Sequence, residues 1–487
     1  MRRALLTSFL LSTVCISGMA EVKLPRFISD GMVLQRNNTP CIWGNAAPNE
    51  NIDITFLKKK YKATANADGK WSVAIPTTNK KMVGGPYTVK IEGSETAEPI
   101  ILKDVYVGDV WLCSGQSNMD MPMKGYSCMP TAGATDKIIG AKASRPIRIC
   151  KVKRASSAVE LDDVTCKWQE HTPEAVAAIS AVAYFFADAV QEILDIPVGI
   201  IVSAWGGSTI QTWLSQDVIE SEFADDFKLS GMEAAVENPK QNYKFPCLLY
   251  NGQVAGLVPY TFKGMLWYQG EANRNRPELY TRMQTAYAQM MRRTFNVPDA
   301  PFYFVQIAPF DYHQKDDFKS GYFCEAQQAT LKTIPNSGMA VTVDLGEEGN
   351  IHPAAKQEVG KRLAYLALYH NYGFKSICAD PPLYKSVEFK DDCTVVTVDC
   401  GTRGVGPMGR DLGGFEIAGK DKVFHPAVAQ CGLKGYKHNQ IVLTCPEVAE
   451  PVAVRYCFRN WAVGTVYNNY GIPLAPFRTD DWDDLER

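Results

Sequence analysis

The chain has little that would bind it to nucleic acid, a membrane or a metal. Its 51 basic and 53 acidic side chains nearly cancel, leaving a formal charge of -2 over 487 residues, so it carries no general attraction for a polyanion. No basic block interleaved with aromatics occurs, and nucleic acid is not an expected partner. After residue 20 no segment approaches the roughly 20 uninterrupted apolar residues that a membrane-spanning helix needs. CxxC pairs are absent, and the six histidines, His171, His313, His352, His370, His425 and His438, show no HxxxH or other close ligand spacing, so no zinc site is expected. There is no internal repeat of fixed period and no low-complexity segment.

What is present is the composition of a folded protein, with 46% apolar and 21% charged residues. At about 150 residues per domain the length suggests about three domains. The N-terminus has Arg2 and Arg3, an apolar run from Ala4 to Ile16, and Gly18-Met19-Ala20 before Glu21. That pattern reads as a secretory signal peptide over residues 1–20, cleaved after Ala20, and predicts a secreted or periplasmic protein. Cys15 offers a lipoprotein alternative, against which the bulky Val14 stands. The 14 cysteines are scattered, removal of the leader leaves an odd number, and their pairing cannot be read from spacing.

The pattern divides the rest into three. Residues 21–103 read as a small antiparallel β-sandwich: Ile52, Ile54 and Phe56 alternate on one face, Tyr87 to Ile91 alternates again, Asp68-Gly69 signals a hairpin and Gly84-Gly85-Pro86 a turn. Residues 104–377 alternate strands and helices. Val105–Leu112, Ile147–Val152, Val198–Ser203, Gly264–Tyr268, Phe302–Ile307 and Met339–Val343 read as buried strands. Glu174–Leu194, Pro277–Phe295 and Pro353–His370 read as helices. This is the signature of a helix-flanked, mostly parallel α/β sheet. Leu214 to Phe245 reads as a polar excursion over the sheet edge that could form part of a lid. Residues 378–487 return to β alternation, in a C-terminal β module.

Chemistry in open α/β sheets gathers at the carboxyl ends of strands. Val110-Trp111-Leu112-Cys113-Ser114-Gly115-Gln116-Ser117-Asn118-Met119 ends one strand in a polar turn, so Ser117 is a candidate nucleophile; the alternative is a turn whose side chains merely bond nearby backbone. Three further segments lie just past other strands. Trp205-Gly206-Gly207-Ser208 brings adjacent glycines, and the Gly207 N–H suits an oxyanion hole, unless the segment is a plain turn capped by Ser208. In Trp267-Tyr268-Gln269-Gly270-Glu271-Ala272-Asn273, the amide of Asn273 or Gln269 could add a donor, while Glu271 lacks an identifiable partner carboxylate and fits a hydrogen-bonding role. In Asn350-Ile351-His352-Pro353, with Pro353 at a first helical position, a neutral imidazole could accept the serine proton.

These motifs, GQSNM, WGGS with Ile210 and Trp213, WYQGE and IHP, resemble the sialate O-acetylesterase family of SGNH hydrolases. The resemblance extends to Ser29 through Arg36, to Phe304-Val305-Gln306-Ile307-Ala308-Pro309 and to Pro476-Phe477-Arg478-Thr479-Asp480. It implies a flavodoxin-like hydrolase domain, no metal or other cofactor, and removal of acetyl groups from O-acetylated sugars. By the same resemblance Ser117 is the nucleophile and His352 the base. The N–H groups of Ser117 and Gly207 and the amide of Asn273 or Gln269 would hold the oxyanion. Many SGNH enzymes carry an aspartate three residues before the histidine, where this chain has Gly349; Asp344, Glu347, Glu348 or a backbone carbonyl near Gly349 could replace it, Asp344 first among them, or Ser117 and His352 could act as a dyad. Met119 also stands where a G-x-S-x-G elbow has its second glycine, which separates the chain from α/β-hydrolase lipases. Competing readings are an acetyl xylan or hemicellulose esterase, a carbohydrate-binding protein with a degenerate hydrolase core, and a thiol enzyme using Cys113.

Overall fold

The computed structural model describes residues 21–482. The expected signal peptide lies outside them.

The apolar runs form the central sheet because a strand buried on both faces must be apolar at every position. Strands Ile100–Gly115, Ile147–Lys151, Val198–Ala204, Gly264–Tyr268, Phe302–Val305 and Ser337–Ala340 send alternate side chains into two cores. Val110 and Leu112 enter one, and Trp111 and Cys113 the other, as a side-chain period of two requires. Helices Ala181–Leu194 and Lys356–Asn371 cover the Trp111 face, and Pro277–Thr294 and Lys319–Thr333 cover the opposite face. Trp111 is fully buried, with its ring 4.8 Å from Phe186 and 6.2 Å from Tyr303. Among the described residues no helix is long and apolar enough to cross a membrane.

Across the sheet the order is Ser337–Ala340, Phe302–Val305, Gly264–Tyr268, Ile100–Gly115, Val198–Ala204 and Ile147–Lys151, all parallel, with Trp168–Gln169 antiparallel at the edge. The chain winds to one side of Ile100–Gly115 first and to the other side afterwards. Its carboxyl end is therefore the switch point, where the flanking loops part and leave a crevice. The expected α/β class, with a mostly parallel sheet between β modules, is the one observed.

Local departures from the expected elements have physical causes. The helix expected over Glu174–Leu194 breaks into Pro173–Ala178 and Ala181–Leu194, because the Ser180 hydroxyl accepts the Ala183 N–H at 3.2 Å and starts the second helix as its cap. Asp68-Gly69 does not make a hairpin: Lys59–Thr64 pairs with Asn51–Phe56, whereas Lys70–Ala74 pairs with Cys41–Asn45. The hairpin turn is Leu57-Lys58, both at positive φ, and Asn66 turns the chain at Asp68-Gly69 by accepting two N–H bonds through its side chain. Gly84-Gly85-Pro86 opens strand Gly84–Gly93, where the pairing register slips. Ile100–Gly115 runs unbroken from the N-terminal β module into the central sheet, so a division at residue 103 falls within one strand.

The C-terminal β module holds two four-stranded antiparallel sheets among the described residues. The Phe477-Arg478-Thr479-Asp480 stretch closes it. Asp480 takes a bidentate bond from the fully buried Arg455 at 2.8 and 3.0 Å, and Thr479 Oγ1 accepts the Val454 N–H.

Candidate active site

Strand Ile100–Gly115 ends against Gly264–Tyr268, and the abrupt turn there depends on Gly115. Its φ is +141°, and a Cβ would meet the Tyr268 carbonyl oxygen at 2.1 Å, so a side chain is excluded both by conformation and by space. Gln116 then fixes the loop from inside. Its Oε1 accepts the Gln269 side-chain amide at 3.1 Å and the N–H groups of Gly270 and Ala272 at 3.2 Å each. Ser117 follows, half-buried, with its Cβ 3.3 Å from where a side chain on Gly206 would begin.

The expected loops do converge. The segment after Val198–Ala204 brings Gly207, at φ +75° with the Tyr243 ring 3.2 Å from its missing Cβ. Among the described residues the N–H groups of Ser117 and Gly207 have no acceptor, which leaves two donors available beside the serine. Asn273 presents its amide in one orientation. Its Oδ1 accepts the Ile210 N–H at 2.9 Å and the Gln269 amide at 2.7 Å, so the Nδ2 end points the other way and donates to Gln211 Oε1 at 3.1 Å.

Gln269 is not placed to share that task. It is fully buried, its Nε2 is committed to Gln116, Ser208 and Asn273, and its Oε1 accepts the Tyr280 hydroxyl at 2.8 Å. It braces Asn273 and Gln116 from behind. Glu271 is likewise a bracing group, accepting the Asn118 amide at 2.6 Å; burial pushes its carboxyl up, against the opposing pull of its own backbone N–H, Asn118 and Lys356.

His352 stands in a loop rather than at the first turn of a helix. The helix begins at Lys356, three residues later than expected, because side chains hold the preceding stretch: Asn350 Oδ1 accepts the His352 N–H at 3.0 Å, and Glu347 accepts the Asn350 amide at 2.9 Å and the Ala354 N–H at 2.6 Å. Asn118 joins this loop to the serine loop, donating to the Ile351 carbonyl at 3.0 Å. Tyr126 spans both as well, with its hydroxyl donating to the Ser117 carbonyl at 3.2 Å and its ring 5.3 Å from the imidazole. Burial, reinforced by the nearby Lys356 charge, lowers the imidazole to about 4. It is therefore neutral around pH 7.

Asp344 does not reach His352. Both its oxygens are taken by Arg362, at 2.7 and 2.6 Å, in a pair buried under the loop. Glu347 is committed to Asn350 and Ala354, and Glu348 points its backbone carbonyl at the Asp311 N–H. Among the described residues no carboxylate hydrogen-bonds the imidazole; its Nδ1 faces the Met129 thioether at 3.3 Å. The Cys113 thiol, fully buried in the sheet, is pushed far up by desolvation. All thirteen cysteines of the described residues are unpaired.

At the mouth, Trp205 and Tyr243 stack at 6.0 Å, and the Arg154 guanidinium lies 5.7 Å from the Trp205 ring while pairing with the buried Asp120, which Lys151 also meets at 3.1 Å. Tyr243 belongs to the Leu214–Phe245 excursion, which thus helps to wall the crevice. Gln116, Asn118, Tyr126, Met129 and Lys356 were not singled out by sequence as site residues. Gln116 and Asn118 flank the serine and were open to notice; a lysine opening a helix looks like ordinary surface.

A family model described as carbohydrate esterase, sialic acid-specific acetylesterase, matches residues 107–369. The chain is 30% identical to the sialate O-acetylesterases of Pongo abelii and Homo sapiens, over 410 residues that cover 74% of this chain and 73% of each relative. The crystal structure of a carbohydrate acetylesterase from Xanthomonas citri superposes with a TM-score of 0.83 at 31% identity, covering 95% of this chain and 100% of that one.

Proposed function

The chain belongs to the sialic acid-specific acetylesterase family of carbohydrate esterases, and from that premise we propose that it removes acetyl groups from sugars through an acetyl-serine intermediate. His352 Nε2 takes the Ser117 hydroxyl proton as Oγ attacks the acetyl carbonyl. The N–H groups of Ser117 and Gly207 and the Asn273 Nδ2 hold the oxyanion. His352 returns the proton to the departing sugar oxygen, and a water deprotonated by the same imidazole then releases acetate and frees Ser117. With Asp344 held by Arg362, the pair acts as a dyad, and the Met129 thioether is the acceptor that keeps the proton on Nδ1 and the lone pair on Nε2.

One observation carries this reading: the Asn118 bond to the Ile351 carbonyl couples the residue after the serine to the residue before the histidine. The substrate is an O-acetylated sialic acid. The half-exposed Arg154 beside Trp205 favours an acidic sugar over acetylated hemicellulose, which carries no carboxylate on its backbone. Export follows from the leader pattern of residues 1–20.

Acetate release from acetylated sialoglycan, xylan, mannan and pectin tests both parts. Wild-type enzyme prefers the sialoglycan, and Ser117→Ala abolishes release from every substrate while the protein stays folded. Retained activity in Ser117→Ala removes the serine mechanism. A preference for xylan or mannan removes the sialate reading alone.

A further inference from the structure

Serine and imidazole must meet at one separation, although they stand on loops distant in the chain. Three side chains take no part in the steps above: the buried Asn118 and Lys356, and the partly buried Glu271. Lys356 is 0% exposed although it is the first residue of a helix, where a cation faces the positive end of the helix dipole. Burial brings its ammonium down to about 7, against the opposing pull of Glu271 and Glu347. A lysine in so unfavourable a place is explained by what it holds.

Its Nζ donates to the Pro353 carbonyl at 2.7 Å and to Asn118 Oδ1 at 2.8 Å. Asn118 in turn donates to the Ile351 carbonyl at 3.0 Å and to Glu271 Oε1 at 2.6 Å. The carbonyls on either side of His352 are thus gripped by two groups that are bonded to each other. One of those groups is the chain neighbour of Ser117, and the Glu271 carboxylate anchors it to the loop that carries Asn273.

We propose that Lys356 and Asn118 are positioning residues for deacetylation, forming a buried clip that sets the distance between the serine and histidine loops. The proposal rests on the reading of Ser117 and His352 as the reacting pair. The clip also bears on protonation. His352 is faced by Tyr126 and Met129 from the segment after the serine and by Lys356 from the helix, with Glu347 on its own loop and Glu271 on the amide loop beyond Lys356. The lysine charge disfavours the imidazolium, so removing it raises the His352 pKa even though burial remains the larger cause.

Hydrolysis of p-nitrophenyl acetate by wild type, Lys356→Met, Asn118→Ala and the double variant tests this. A misplacement of the order of 1 Å costs about 100-fold in rate, so each single variant loses about that much kcat with KM little changed. The double variant is no worse than the poorer single, because both cut one device. In Lys356→Met the acidic limb of kcat/KM also moves up, a change that simple loosening of the fold would not produce. Wild-type kcat with an unmoved limb in Lys356→Met, or fully additive losses, overturns the clip. If Lys356→Met does not fold, Asn118→Ala decides alone, since wild-type kcat there overturns the proposal and a loss confined to kcat supports it. Labelling of wild-type Ser117 by a fluorophosphonate separates the two levels: an unlabelled serine defeats the underlying reading, whereas a labelled serine with indifferent variants defeats only the clip.

Discussion

The two loops that meet over the carboxyl end of the sheet are held in different ways. The serine loop continues a sixteen-residue strand, turns on a glycine that no other residue can replace, and is locked by Gln116, whose carbonyl takes three donors from the neighbouring loop. The histidine loop begins after a four-residue strand at the sheet edge. Side chains of Asn350 and Glu347 shape it, Asn118 and Lys356 grip it, and among the described residues no carboxylate hydrogen-bonds the imidazole. The nucleophile is thus positioned by a long strand, a glycine turn and the buried Gln116 side chain, and the base by a few polar contacts that single substitutions can remove.

Substitutions on the histidine side should therefore separate rate from stability. His352→Ala removes the base and is expected to lower kcat by about 100 to 10,000-fold with the melting temperature close to wild type, because the imidazole holds no part of the core; steady-state kinetics and a thermal melt check both halves. Asp344→Asn reverses the pattern. Breaking a buried ion pair costs about 3 to 5 kcal/mol, so denaturant midpoints fall, whereas the acidic limb of kcat/KM stays near that of wild type. With the imidazole lowered to about 4, that limb is expected well below the ordinary histidine value of about 6.5, where falling pH removes activity by protonating the base. An acidic limb displaced by Asp344→Asn would restore the aspartate as the third member.

The smallest effect is expected at Gly349. A Cβ there meets nothing within 4 Å, so Gly349→Asp is tolerated within about 0.5 kcal/mol, and a nearby negative charge raises the imidazole pKa. The expected result is a modest upward shift of the acidic limb with stability unchanged. A large loss of stability would show that the loop is more tightly packed than its open surroundings indicate.

The same contrast governs how much was legible in the sequence. Val105–Leu112, Val198–Ser203 and Gly264–Tyr268 announce themselves as apolar runs, so the loops that follow them, with Ser117, Gly207 and Asn273, could be placed at one end of the sheet from pattern alone. His352 was legible as a residue but not as a conformation, since Pro353 suggested a helix start and side-chain bonds from Glu347 and Asn350 delay it to Lys356. Asp344 misled because a carboxylate at a strand end is equally suited to an imidazole and to a guanidinium. Only the fold reveals that Arg362, eighteen residues on, takes both oxygens. Gln269 and Asn273 are both buried amides at the right place, and only their hydrogen-bond partners distinguish the brace from the presented group. Lys356 carried no signal, because nothing in a sequence separates a buried lysine from a solvated one.

The central claim, that Ser117 attacks and carries the acetyl group, is tested most directly by quenching the wild-type enzyme during turnover of p-nitrophenyl acetate and mapping the acetylated peptide by mass spectrometry. One acetyl group on Ser117, absent in His352→Ala, is the predicted result. Turnover with no covalent acetyl group, or with the group on Cys113 or another side chain, would contradict it.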